Sequence, residues 1–219
     1  MPVRILVVDD HQIVREGFCA LIDKQPDLEV VGQAGDGRTA IQRARELHPG
    51  VILMDITMPD MNGLEASRLI HEEYPGVKII ILSIHADREY VEKAIQTGIR
   101  GYLLKDCAFN ELIIAIRTVL ANRIYLSPAI TDVVVENYFL RESGAAGEAS
   151  EMDSLTSRER EILQLIAEGH TSKEIADRLH VGISTVDSHR QRIMEKLDIH
   201  DVPHLVKYAI RKGLTSLNH

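Results

Sequence analysis

VILMDITMPDMNG, residues 51–63, decides how the chain folds. Four apolar residues run straight into Asp55, and a Pro-Asp-Met-Asn-Gly turn follows. A strand that is apolar without interruption is one buried on both faces, as in a parallel sheet. A carboxylate ending such a strand gains nothing there unless another group needs its charge. Four similar runs surround it: RILVV (4–8), LEVVG (28–32), VKIIIL (77–82) and GYLL (101–104). Segments with helical periodicity lie between them, at 11–23, 37–47, 63–72, 87–97 and 108–121. This alternation predicts an α/β doubly wound fold with a five-stranded parallel sheet over residues 1–121.

The chain has 219 residues, enough for one large domain or two small ones. It is 45% hydrophobic and 26% charged, which is ordinary for a globular protein and excludes a disordered or collagen-like chain. No apolar run approaches the roughly 20 residues that cross a bilayer, and MPVRILVVDD lacks the pattern of a signal peptide. The two cysteines, Cys19 and Cys107, stand singly, which points to a reducing cytoplasm with no membrane partner. Charge divides the chain. Residues 1–152 hold 15 basic and 23 acidic side chains, whereas residues 153–219 hold 10 of each and six of the ten histidines. Two domains with different partners are expected. Residues 122–152 read as a linker: a helix could follow Ser127-Pro128, and SGAAGEASEMDS is small, polar and aperiodic.

In an open α/β sheet, ligands bind beyond the carboxyl ends of the strands. Asp9 and Asp10 follow the first strand, Asp55 ends the third, Ser83 follows the fourth and Lys105 the fifth. Three carboxylates brought together repel one another unless a cation sits among them. Oxygen donors of this kind suit Mg²⁺, with a lysine and a hydroxyl left to hold phosphoryl oxygens. A carboxylate is also a known phosphoryl acceptor. Singly, each residue has a plainer reading, since Asp9 and Asp10 could cap the next helix. Lys105 could be a solvated loop charge, Ser83 a core hydroxyl and Tyr102 a core aromatic. Nothing assigns a role to His11, His85 or Cys107.

Taken in order, Asp9-Asp10, MDITMPDMNG, Ser83 and GYLLKD make residues 3–121 resemble the receiver domain of bacterial two-component response regulators. The resemblance implies a flavodoxin-like fold in which Asp55 accepts a phosphoryl group from a sensor histidine kinase. It implies Mg²⁺ bound by Asp10, Asp55 and the Thr57 carbonyl, with Asp9 assisting. Ser83 and Lys105 would contact the phosphoryl group, and the Tyr102 ring would report the switched state.

Past the linker the chain is helical: SREREILQLIAEG, capped by Thr156 or Ser157, then SKEIADRLHVG ending at Gly182, STVDSHRQRIMEKLD and PHLVKYAIRKG. Two short helices joined by a few residues match a helix-turn-helix. LTSRERE, AEGHTSKEIADRL, STV, His189 and IMEKL make residues 155–214 resemble the LuxR-type domain of NarL/FixJ regulators. This implies a four-helix DNA-binding domain, residues 153–219, whose third helix enters the major groove. On a helical wheel Val186, Ile193 and Leu197 fall within about 20° of one direction, the buried stripe. Asp187, Ser188 and Gln191 face outward as base readers, and Lys173, Arg190, Arg192 and Lys196 are candidates for phosphates. Gly182 and Asp187 depart from the family's usual polar residue and lysine, so the base preference stays open. His189 reads as a packing or cap residue.

Together these features predict a phosphorylation-switched transcription regulator that dimerises when phosphorylated. It would bind double-stranded promoter DNA and, through it, meet RNA polymerase. Short strand-to-helix loops without a lid argue against an enzyme acting on small phosphate esters. A regulator that ignores phosphorylation is the other alternative.

Overall fold

A computed structural model describes residues 1–84, 86, 88–132, 134–135, 155–212 and 214–215 of the chain. Two compact units divide at Ala146 and Gly147. Much of the stretch read as linker, including 141–153, lies outside the described residues, as does His85.

The first unit runs β1 Val3–Val8, α1 Gln12–Ile22, β2 Leu28–Ala34, α2 Gly37–Leu47, β3 Val51–Asp55, α3 Gly63–Glu73, β4 Lys78–Ser83, α4 Arg88–Gln96, β5 Gly101–Leu104 and α5 Lys105–Leu120. The strands lie in the order 2-1-3-4-5-6, every neighbouring pair parallel. The apolar runs sit where a two-sided sheet needs them: Ile52 and Met54 serve a core with α2, α3 and α4, while Val51 and Leu53 serve one with α1 and α5. Asp36 caps α2 by accepting from the Thr39 amide, and Asn62 caps α3 through Glu65.

Two boundaries differ from the sequence expectation. The sheet has six strands rather than five: β6, Tyr125–Leu126, adds in parallel beside β5. The helix expected after Ser127-Pro128 is present as α6, which begins at residue 128 and covers 128–132 and 134–135. Its Ile130 is fully buried in the core that holds Tyr102. Helix α5 starts at Lys105, not 108, so no loop separates it from β5. GYLLKD therefore turns directly from strand to helix.

The second unit comprises α7 Ser157–Ala167, α8 Ser172–Leu179, α9 Ile183–Leu197 and α10 Val202–Arg211 around one core. Thr156 caps α7 in a reciprocal capping box with Glu159, and Thr171 caps α8 with Glu174. Helix α8 stops three residues before Gly182, because His180 adopts the left-handed conformation there. Gly182 instead is the N-cap of α9, without a side-chain cap. Val186, Ile193 and Leu197 are buried, so the wheel orients α9 correctly.

Candidate functional site

The strand order reverses between β1 and β3, the place where a parallel sheet opens a crevice at its carboxyl edge. Asp9 follows β1 there and Asp55 ends β3; both are buried. Donor atoms of Asp9, Asp10, His11 and Asp55 lie within 4.8 Å of one another. Lys105, the first residue of α5, reaches between the acids: its Nζ lies 2.7 Å from Asp9 Oδ2 and 2.9 Å from Asp55 Oδ2. Ser83, also buried, ends β4 one strand beyond Asp55. The Tyr102 ring is fully buried on β5.

Local structure fixes Asp55. Its Oδ1 accepts from the Thr57 amide at 3.4 Å. The following turn folds back tightly, with the Gly63 amide donating to the Ile56 carbonyl at 2.8 Å and Asp60 at positive φ. On the β1 side, Asp9 Oδ1 accepts from the His11 amide at 2.9 Å, while its other oxygen meets Lys105. Helix α1 has His11 at its N-cap, with no side-chain cap from that residue and no acid in its first turn.

Two residues near the pocket carried no assignment from the sequence. His11 Nδ1 is 2.7 Å from Asp10 Oδ1, and the Arg15 guanidinium donates to the Asp9 carbonyl at 2.5 Å. Their spacing of four residues on one face of α1 was the available signal.

Burial is the largest influence on Asp55 and raises its pKa. Lys105 pulls it back and Asp9 and Asp10 push again, leaving it at about 7. Burial works against the Lys105 charge too, but Asp55 and Asp9 outweigh it, and its pKa is raised. Asp9, Asp10 and Asp55 bring three carboxyl groups together in a pocket where Asp9 and Asp55 are buried. Hard oxygen donors clustered in this way fit a small divalent cation such as Mg²⁺.

In the second unit, Lys173, Asp187, Ser188, Gln191 and Arg192 are exposed, and Arg190 is half-buried. The Ser188 hydroxyl donates to the Ser184 carbonyl at 2.8 Å, and the Gln191 amide to Glu195 at 3.0 Å. Lys196 is placed differently from the rest. Its Nζ lies 2.7 Å from Glu159 Oε2, on α7.

An acid cluster with a lysine at a sheet's switch point, followed by a helix-turn-helix, defines a signal-receiving transcription regulator. Residues 5–117 match the family described as response regulator receiver domain, and residues 153–209 match the luxR family of bacterial regulatory proteins. The oxygen regulatory protein NreC of Staphylococcus carnosus is 40% identical over 214 residues, covering 96% of this chain and 98% of NreC. A crystal structure of a LuxR-family two-component response regulator from Aurantimonas is 37% identical with a TM-score of 0.61, covering 64% of this chain and 99% of that one. The RcsB response regulator of Salmonella typhimurium shares the fold, at 24% identity and a TM-score of 0.58 over 94% of this chain and 97% of that one. The chain belongs to the two-component response regulators that join a receiver to a LuxR-type DNA-binding domain. It is a transcription regulator that acts in dependence on phosphorylation. Among the described residues no helix is long and apolar enough to cross a membrane.

Proposed function

We propose that Asp55 is the phosphoryl acceptor and that its modification controls promoter binding through α9. The observation that carries this reading is the Lys105 ammonium bridging Asp9 and Asp55 at the carboxyl ends of β1 and β3. A phosphohistidine on a sensor kinase is the donor. An Asp55 carboxylate oxygen attacks phosphorus, the P–N bond breaks, and its electron pair returns to the imidazole. The product is an acyl phosphate on Asp55. Lys105 and the Ser83 hydroxyl then hold phosphoryl oxygens, and Tyr102 follows Ser83 as the report of the switched state.

Asp9, Asp10, Asp55 and the Thr57 carbonyl would hold Mg²⁺. When bound, the cation supplies charge that keeps the Asp55 carboxylate ionised and screens the incoming phosphoryl group.

Phosphorylation shifts the receiver between two populated states, and the shifted state favours a homodimer on DNA. In α9 the exposed Asp187, Ser188 and Gln191 face bases, while Arg190 and Arg192, with Lys173 of α8, face phosphates. RNA polymerase at the promoter is the downstream partner. The regulator works in the cytoplasm and uses its phosphoryl group as a signal rather than in catalytic turnover.

Intact mass after incubation with acetyl phosphate and Mg²⁺ tests the acceptor. One phosphoryl adduct on the wild type, absent from Asp55→Asn and absent without Mg²⁺, is expected. The same adduct on Asp55→Asn would overturn the assignment.

A further inference from the structure

We propose that Arg158 and Glu159 are positioning residues that hold the two helices of the helix-turn-helix at their C-terminal ends, and that Lys196 belongs to this clamp rather than to the DNA backbone contacts. The inference rests on α9 being the DNA-reading helix.

Glu159 Oε2 receives three donors: the Lys196 ammonium at 2.7 Å, the Thr156 amide at 2.7 Å and the Thr156 hydroxyl at 3.0 Å. Lys196 is the penultimate residue of α9, 37 positions away in sequence. The neighbouring Arg158 does the equivalent for α8. Its Nη2 donates to the carbonyl of Leu179, the last residue of that helix, at 3.1 Å, while Nη1 is held by Glu161 at 2.6 Å. Adjacent residues of LTSRERE thus grip the ends of both helices.

The unit contains its own control. Glu174 occupies the same capping position in α8 and bonds Thr171 in the same way, at 2.8 Å to both its amide and its hydroxyl, yet it is exposed. A capping box therefore needs neither burial nor a lysine. Glu159 is 3% exposed in its side chain, and burying a carboxylate carries a desolvation cost. What its burial adds is a directed bond to the far end of the reading helix. The pair is buried on the Glu159 side alone, with the Lys196 side chain 35% exposed, so its geometry is set by the carboxylate. Glu159 is held ionised: burial opposes its charge, but the Lys196 and Thr156 bonds prevail and lower its pKa.

Position along α9 keeps Lys196 away from the base edges. Base-reading residues occupy the N-terminal part of a recognition helix. Lys196 lies nine residues beyond Asp187, roughly 14 Å along the axis at 1.5 Å per residue. The Lys196 ammonium lies 2.7 Å from the Glu159 carboxylate, so a phosphate would have to share it with that acid.

The test uses the full chain, phosphorylated with acetyl phosphate, and its Lys196→Met, Glu159→Gln and double variants. Gln retains an oxygen for the capping box, so the second single variant separates the ion pair from the cap. Binding is measured by anisotropy, below the melting range, on a random-sequence duplex and on the genomic fragment most enriched by the wild type. We expect each single variant to lose about tenfold affinity for the enriched fragment, and the double variant to lose no more than either single one. On the random duplex the slope of log K against log salt should be unchanged by Lys196→Met. A slope reduced by about 1 would make Lys196 a phosphate contact and overturn the proposal. Lowered melting temperature with unchanged affinity for the enriched fragment would reduce the clamp to a stability role and overturn it as well. A wild type that does not discriminate the two duplexes would instead remove the DNA-reading premise, a failure seen before any variant is compared.

Discussion

A Cβ added at residue 63 would lie 1.8 Å from the Asp55 carbonyl oxygen, so the turn that follows β3 requires glycine at a close approach rather than at a special φ. Gly63→Ala should therefore destabilise the first unit by more than about 3 kcal/mol, measured by denaturant unfolding. The burial of Asp55 makes a second prediction at this scale. Its folded pKa is raised from 3.8 to about 7, so the stability linked to its protonation is present at low pH and is lost as pH rises through that window. In chelator at pH 8, Asp55→Asn should melt about 4 °C above the wild type, and the gain should close as pH falls towards 4. Added Mg²⁺ should raise the wild-type midpoint and leave that of the variant nearly unchanged. A wild type that melts higher than the variant at pH 8 in chelator would contradict this. Asp9, Asp55 and Lys105 were legible as site candidates because each stands at the end of an apolar run. The Glu159–Lys196 bond was not, because residues 37 apart on different helices carry no local signal of their meeting.

At the scale of elements, periodicity located the five long strands and their helices because each buries a continuous apolar face. It failed where tertiary contacts decide. Tyr-Leu at 125–126 is too short to read as a strand, and it becomes one only because β5 offers a free edge. The Ser127 hydroxyl then ties this segment down, accepting from the Leu104 amide at 3.3 Å and donating to Glu111 at 2.8 Å, with the Tyr125 hydroxyl on the same carboxylate at 3.0 Å. Leu104 precedes Lys105, so the segment after α5 is bonded next to the lysine that bridges Asp9 and Asp55. Ile130→Ala in the full chain should cost the first unit about 3 kcal/mol in denaturant unfolding, as for a fully buried core residue. A cost near zero would return residues 125–135 to the status of a loose tether. Helix α8 shows the other kind of miss: a glycine two residues past the true cap drew the boundary outward, while His180 took the left-handed cap that glycine usually fills.

For the whole molecule, the division of labour follows the charge division. The acidic residues 1–152 carry the pocket, and the charge-balanced residues 153–219 carry the helix-turn-helix. The second unit's lack of net positive charge places more weight on the arrangement of a few side chains than on bulk attraction to phosphate. On the proposed reading, function depends on coupling a covalent change at Asp55 to DNA binding in a unit with a separate core. The most direct test is recovery of genomic DNA fragments by the full chain, with and without acetyl phosphate and Mg²⁺, in parallel with Asp55→Asn. A discrete set of fragments enriched by the phosphorylated wild type and lost, at least tenfold, in the variant under the same conditions is expected. Equal enrichment of that set by Asp55→Asn would contradict it.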